Sequence, residues 1–413
     1  MAKKGHSRIS LKSSLITEFL THVINNNREI QKRGLVPVSV EVVGEAGLGK
    51  TTVIKDLAKS LGLNFVKLNL AQIEELGDII GFPIRQFQMC QTKLEIVDGQ
   101  EVRVKDNEVC LWVDEHTIAS YEKEGYVFTG QNRMSYCPPE WIADKTDGGI
   151  LLLDDYTRAD PRFMQATMEL VSQQEYISWK LPKDWHIILS SNPNNGEYLV
   201  TEMDIAQQTR YISIDMKFDV KDWAKWAEEE GIDGRCINFM LMHGRDFIER
   251  ENSKVNPRSM VLFFNSISSI KDFNAQLPLV TMIGEGSVGQ EVANLFGIFI
   301  NNKLDKLISP ENMMGGNEKE VLKEILSIVG SHKDNSYKAA IASVLTTRLI
   351  NYSVYHAKDN KIGQAYIDRL IALVENEVFG KDLSFNLVKQ IYASNPKYKL
   401  LAQSNKVAKI VVG

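Results

Sequence analysis

Apolar residues recur at helical spacing over 11–32, where Leu15, Ile16, Phe19, Leu20, Val23 and Ile24 share a face before charges take over; this predicts a leading helix. The pattern then changes. The β-rich run VSVEVV leads into a glycine-dense stretch and a helix that Gly62 closes. NFVKLNL at 64–70 reads as a second strand, and GILLLDD at 149–155 as a third, apolar throughout as a strand covered on both faces should be. Pro161, with its fixed φ and missing N–H, suits a first helical turn. WHIILSSNP at 185–193 and YISIDM at 211–216 supply a fourth and a fifth strand. Strands alternating with helices predict an α/β fold, a three-layer αβα core around a five-stranded parallel sheet.

From Val220 onward the strand signals stop and amphipathic helices follow one another. A polar, Gly/Pro-bearing break at 308–320 reads as a boundary, after which three more helices are predicted. The expected organisation is a helical segment 1–34, a core 35–217, a helical lid 218–306 and a C-terminal helical domain 307–413. The core carries an insertion at 84–147, between the second and third strands, that alternates in polarity and contains the hairpin signal Asp98-Gly99. A functional element and plain decoration of the sheet edge both fit a connection of this length.

Composition adds exclusions more than assignments. With 44% apolar and 24% charged residues the chain has globular composition. A net charge of −5 disfavours a whole-surface footprint for nucleic acid or anionic membrane. The basic stretches at 3–12 and 397–409 read as solvated termini. Cys90, Cys110, Cys137 and Cys236 lack metal or redox spacing, so free thiols in a reducing cytoplasm are expected. No apolar run approaches the ~20 residues of a membrane span, and the N-terminus lacks a signal-peptide pattern. The seven histidines form no ligand spacing. Trp223 and Trp226, three apart on one helix, read as lid core.

The glycine-dense stretch carries the chemistry. Gly44, Glu45, Ala46, Gly47, Leu48, Gly49, Lys50 and Thr51 fit GxxxxGK[ST], between a strand and a helix, with Thr52 following. Glycines let backbone N–H groups curl around phosphate oxygens, and the helix N-terminus adds partial positive charge. Lys50 is the candidate to neutralise the terminal phosphates of ATP, and Thr51 to ligate Mg²⁺. The matching acid is Asp154, where the third strand's apolar run stops.

With these motifs in order, and with DDYTRADPRF, LPKDWHIILSSNP, AQQTRYISIDM and VNPRSM following, residues of roughly 35–300 resemble the MoxR-type branch of the AAA+ ATPases. The resemblance implies that Asp154 is the magnesium-linked acid and Asp155 stands in for the water-activating glutamate. It makes Asn192 the polar sensor, Arg210 the arginine offered to a neighbouring copy, and Arg258 the second sensor. It further implies a homo-oligomeric, usually hexameric, ring that remodels or assembles a protein partner, often one with a von Willebrand factor A domain.

The sequence departs from the relatives' DEINRA at DDYTRA, with Asp155 for Glu and Thr157 for Asn. One methylene fewer withdraws the carboxylate by roughly 1.5 Å. Slow hydrolysis is therefore expected, and Asp155→Glu is expected to speed it. Two other readings remain: a DNA-handling motor or clamp-loader-like ATPase, disfavoured by the missing basic–aromatic stripe, and a scaffold that binds ATP without turnover.

Overall fold

The computed structural model describes residues 8–97, 100–196, 198–250, 255–330, 335–358 and 362–412. The start of the basic N-terminal stretch, Asp98-Gly99, His6 and His332 lie outside them, as does the side chain of His356. Two compact units emerge, one built chiefly of Leu15–Glu45 and Lys50–Met216, the other of Lys217–Gly413.

The first unit is a parallel six-stranded sheet. Its strands are β1 (Ser10–Leu11), β2 (Ser39–Val43), β3 (Asn64–Asn69), β7 (Gly149–Asp154), β10 (Trp185–Ser191) and β11 (Tyr211–Met216). They lie in the order β1-β11-β2-β10-β7-β3. All five predicted strands form. The sixth, β1, pairs Ser10 with Asp215 and Leu11 with Met216, and two residues are too few to show a period. Every residue of β2, β7 and β10 is buried, as expected of strands covered on both faces. This order places the C-terminal ends of β2, β7 and β10 side by side, the position where ligands sit in open α/β sheets.

Between β3 and β7 the insertion forms its own antiparallel sheet of β4 (Phe82–Val97), β5 (Gln100–Asp114) and β6 (Tyr126–Cys137), in the order β5-β4-β6. The predicted hairpin is there, with Val97 opposite Gln100. Its base is tied down by indoles. Trp179 Nε1 donates to the Ile80 carbonyl at 2.9 Å and Trp141 Nε1 to that of Asp78 at 3.1 Å, and the two rings meet edge to face. Trp179 belongs to a short hairpin of β8 (Glu175–Tyr176) and β9 (Trp179–Lys180) that follows the helix Pro161–Gln173.

Cys90 and Cys110 are not free thiols; they form a disulfide. They stand directly opposite one another on β4 and β5, with Cα atoms 4.1 Å apart, and only the pairing register reveals it. Cys137 and Cys236 are free. This bonded pair gives no support to a reducing cytoplasm. Among the described residues no helix is long and apolar enough to cross a membrane.

The second unit is helical. The stretches expected as a lid and as a separate C-terminal domain share one core, in which Phe239, Phe263 and Phe296 join Met313, Ile325, Leu345, Leu373 and Ile391. The polar break at 308–320 is itself structured: Ser309 caps the helix Pro310–Gly315, and Met313 is fully buried. A partly buried ion pair adds to this, since Arg348 Nε donates to Glu228 at 2.7 Å and its Nη1 to Asn238 at 3.2 Å. Trp223 packs on Phe264 within this shared core.

Candidate nucleotide site

The phosphate loop starts where β2 ends. Gly44 N–H donates to the Ser191 carbonyl at 3.1 Å, which fixes the loop's first residue to the end of β10. Gly47 and Gly49 have φ of +81° and +90°, a backbone region in which side chains are strained, so glycine is required at both. Ala46 and Leu48 complete the turn, and Lys50 begins the helix Lys50–Ser60, with Thr51 and Thr52 in its first turn. The Glu45 side chain has partners of its own. Its carboxylate accepts from Tyr198 Oη at 2.5 Å and Asn195 Nδ2 at 3.3 Å, which pins the loop after β10.

Lys50 is buried, and its ammonium donates to the carbonyls of Gly44 at 2.6 Å and Glu45 at 3.1 Å and to Asn192 Oδ1 at 3.2 Å. The other end of the same amide donates to Asp155 Oδ1 at 3.4 Å. Asn192 thus bridges the phosphate-loop cation and the second acid, and the two contacts together fix which way the amide points. The neighbouring Thr157 hydroxyl accepts from Asn192 N–H at 3.4 Å.

Thr51 Oγ1 donates to Asp154 Oδ2 at 3.1 Å. Burial alone would raise the Asp154 pKa. Hydrogen bonds from Lys67, Ser190 and Thr51 and the Lys67 charge outweigh it and hold the acid below its usual range, hence ionised. A hydroxyl and an ionised carboxylate in contact are hard oxygen donors of the kind a hydrated magnesium ion takes. With the glycine turn and helix N-terminus alongside, the residues fit a magnesium nucleotide.

Asp155 has an unusual backbone, with φ 52° and ψ 36° in the left-handed region, which Asp and Asn tolerate better than other side chains. Its second oxygen lies 3.9 Å from Arg158 Nη1.

The structure therefore brings together Lys50, Thr51, Asp154, Asp155 and Asn192. Arg210 stands apart, exposed between the helix Ile205–Gln208 and β11, where Nη1 donates to the Ala206 carbonyl at 3.0 Å. Arg258 belongs to the second unit, exposed in the first turn of the helix Pro257–Ile267 behind an Asn256–Ser259 capping box. The residue that sequence reasoning missed is Lys67. Its Nζ lies 2.9 Å from Asp154 Oδ2. A lone lysine in an alternating strand gives no signal until β3 is known to lie beside β7.

Residues 40–117 match the model of the family described as ATPase family associated with various cellular activities (AAA). The likeness is to an AAA-type ATPase domain and is confined to that stretch. The matched segment contains the phosphate loop, and the sheet and helical region are those of an AAA+ P-loop α/β fold. Among solved structures, the Thermotoga maritima RuvB Holliday junction branch migration motor is similar at 13% identity over 82% of this chain and 87% of that one, with a TM-score of 0.34. A putative ATPase from Cytophaga hutchinsonii is similar at 13% identity over 86% and 88%, with a TM-score of 0.29. Scores this low lend no weight to the assignment, which rests on the family match and the geometry. No curated protein matches the chain.

Proposed function

We propose that the chain is a MoxR-type ring ATPase that binds and hydrolyses ATP and couples turnover to remodelling or assembling a protein partner. The observation that carries this reading is the continuous contact from Lys50 through Asn192 to Asp155, set beside the Thr51–Asp154 pair. In this reading Lys50 neutralises the terminal phosphates, and Thr51 and Asp154 hold Mg²⁺, which supplies charge neutralisation at the phosphates. Asp155, oriented by Asn192, positions and deprotonates the attacking water. The exposed Arg210 is free to reach a neighbouring copy's nucleotide, and Arg258 serves as the second sensor. A partner carrying a von Willebrand factor A domain is in keeping with the family resemblance.

Subunit mixing tests the assignment. Arg210→Ala should bind ATP normally and turn over poorly, because its own site is intact and its neighbour's is incomplete. Mixing it with Lys50→Ala subunits, which lack nucleotide but offer Arg210, should restore part of the activity. No recovery, in a mixture shown by mass measurement to co-assemble, would contradict an arginine acting in trans. Salt-sensitive stimulation by DNA would replace the protein-partner reading with a DNA-handling motor. Stable ATP occupancy without turnover would leave a binding-only scaffold.

A further inference from the structure

The contact that the nucleotide reading leaves unexplained is the ion pair on its metal acid. β3 runs parallel to β7 with Lys67 opposite Leu152 and Asn69 opposite Asp154, so Lys67 and Asp154 are diagonal neighbours on one face. The Lys67 ammonium and the Thr51 hydroxyl share a single oxygen, Asp154 Oδ2, at 2.9 and 3.1 Å. The side chains differ sharply in exposure, 41% for Lys67 against 10% for Asp154. A long, half-solvated stem therefore reaches in to a fixed, buried acid, and it has open solvent to withdraw into.

A hydrated magnesium ion held by Thr51 and Asp154 would draw on the same carboxylate that Lys67 occupies. An ammonium and a dication on one carboxylate repel each other, so the two compete for it. We propose that Lys67 is a resident counter-ion of Asp154 that magnesium must displace, so that it sets the magnesium concentration at which nucleotide is held. Before loading, Lys67 holds the carboxylate beside Thr51; magnesium binding would release the lysine toward solvent. It is a positioning residue. This rests on the reading that the site takes a magnesium nucleotide.

The test follows binding of fluorescent methylanthraniloyl-ADP to the intact chain as Mg²⁺ is titrated. Lys67→Met and Lys67→Gln should reach half-maximal binding at lower Mg²⁺, by on the order of fivefold, the upper range for a half-exposed ion pair. Lys67→Arg keeps a cation within reach and should stay within about twofold of the parent. In excess EDTA the order reverses: without Lys67 the bare Asp154 repels the phosphates, and the Met and Gln variants should bind the probe more weakly than the parent. Magnesium curves for Lys67→Met and Lys67→Gln that superimpose on the parent's, or move to higher Mg²⁺, would overturn the inference while leaving nucleotide binding intact. A parent chain that binds no probe at any Mg²⁺ would overturn the site reading, and this inference with it.

Discussion

Asp155 is where backbone and chemistry meet, and its replacement by Glu separates two accounts of the site. From chain length alone, the longer acid should restore the reach that the relatives' glutamate has and raise the rate. The backbone argues the opposite. At φ 52° and ψ 36°, Asp155 occupies a region that costs an ordinary L-residue about 1–2 kcal/mol and that Asp and Asn tolerate best. Lengthening the side chain forfeits that tolerance and moves the carboxylate by about 1.5 Å. Its present partner, Asn192 Nδ2, stands 3.4 Å away, already at the edge of a hydrogen bond. A misplacement near 1 Å can cost about a hundredfold in rate. The expected outcome is that Asp155→Glu lowers the single-turnover rate by about ten- to a hundredfold and destabilises the fold by about 1 kcal/mol, with ATP affinity unchanged. Asp155→Asn is the control, because it keeps the shape and the left-handed tolerance and removes only the charge. It should leave the melting temperature in place and cut turnover by about a hundredfold or more. Rapid-quench measurement of phosphate release, with thermal melts on the same samples, reads both. A faster Asp155→Glu with an unshifted melt would refute the backbone argument and restore the expectation from chain length.

Four further outcomes follow from other parts of the molecule. Gly49→Ala should weaken ATP binding measured by calorimetry, because a side chain at φ +90° is strained and the phosphate turn must deform. Arg348→Met leaves the partly exposed Glu228 carboxylate without its buried partner and should destabilise the second unit by about 2 kcal/mol in a denaturant melt. Cys90→Ser, or reduction, opens the loop closed by the Cys90–Cys110 bridge and should speed limited proteolysis within the β4–β5 hairpin. Acidification should lower the melting temperature in two stages. The buried His186 is held below its usual 6.5 chiefly by burial, so stability present above pH 6.5 is lost as pH falls toward its depressed value. Burial raises the Asp184 pKa, but hydrogen bonds from Arg28 and His186 outweigh it and leave it below 3.8, so its contribution is present above that pH and lost below it. Asp184→Asn should flatten the lower stage.

What could be read in advance was whatever is local in the chain. The strand–glycine turn–helix around Lys50, the apolar run ending at Asp154, the tip of β10 at Asn192 and the cap before Arg258 each lie within a dozen residues, and periodicity and turn chemistry suffice for them. What stayed hidden depends on pairings across the chain. Lys67 meets Asp154 only because β3 is laid beside β7 after a long insertion, and Cys90 faces Cys110 only in one hairpin register. Arg348 finds Glu228 across 120 residues, which helps to join the stretches expected as lid and C-terminal domain into one core. The left-handed backbone at Asp155 is local but invisible, since Asp at a strand end is ordinary in any conformation.

The central claim is that Lys50, Thr51 and Asp154 grip a magnesium nucleotide. Calorimetric titration of the intact chain with ATP in millimolar magnesium tests it most directly. Saturable binding near one nucleotide per chain is expected, abolished by Lys50→Ala and weakened when EDTA replaces magnesium. Absence of binding by the parent chain, or equal binding by Lys50→Ala, would contradict it.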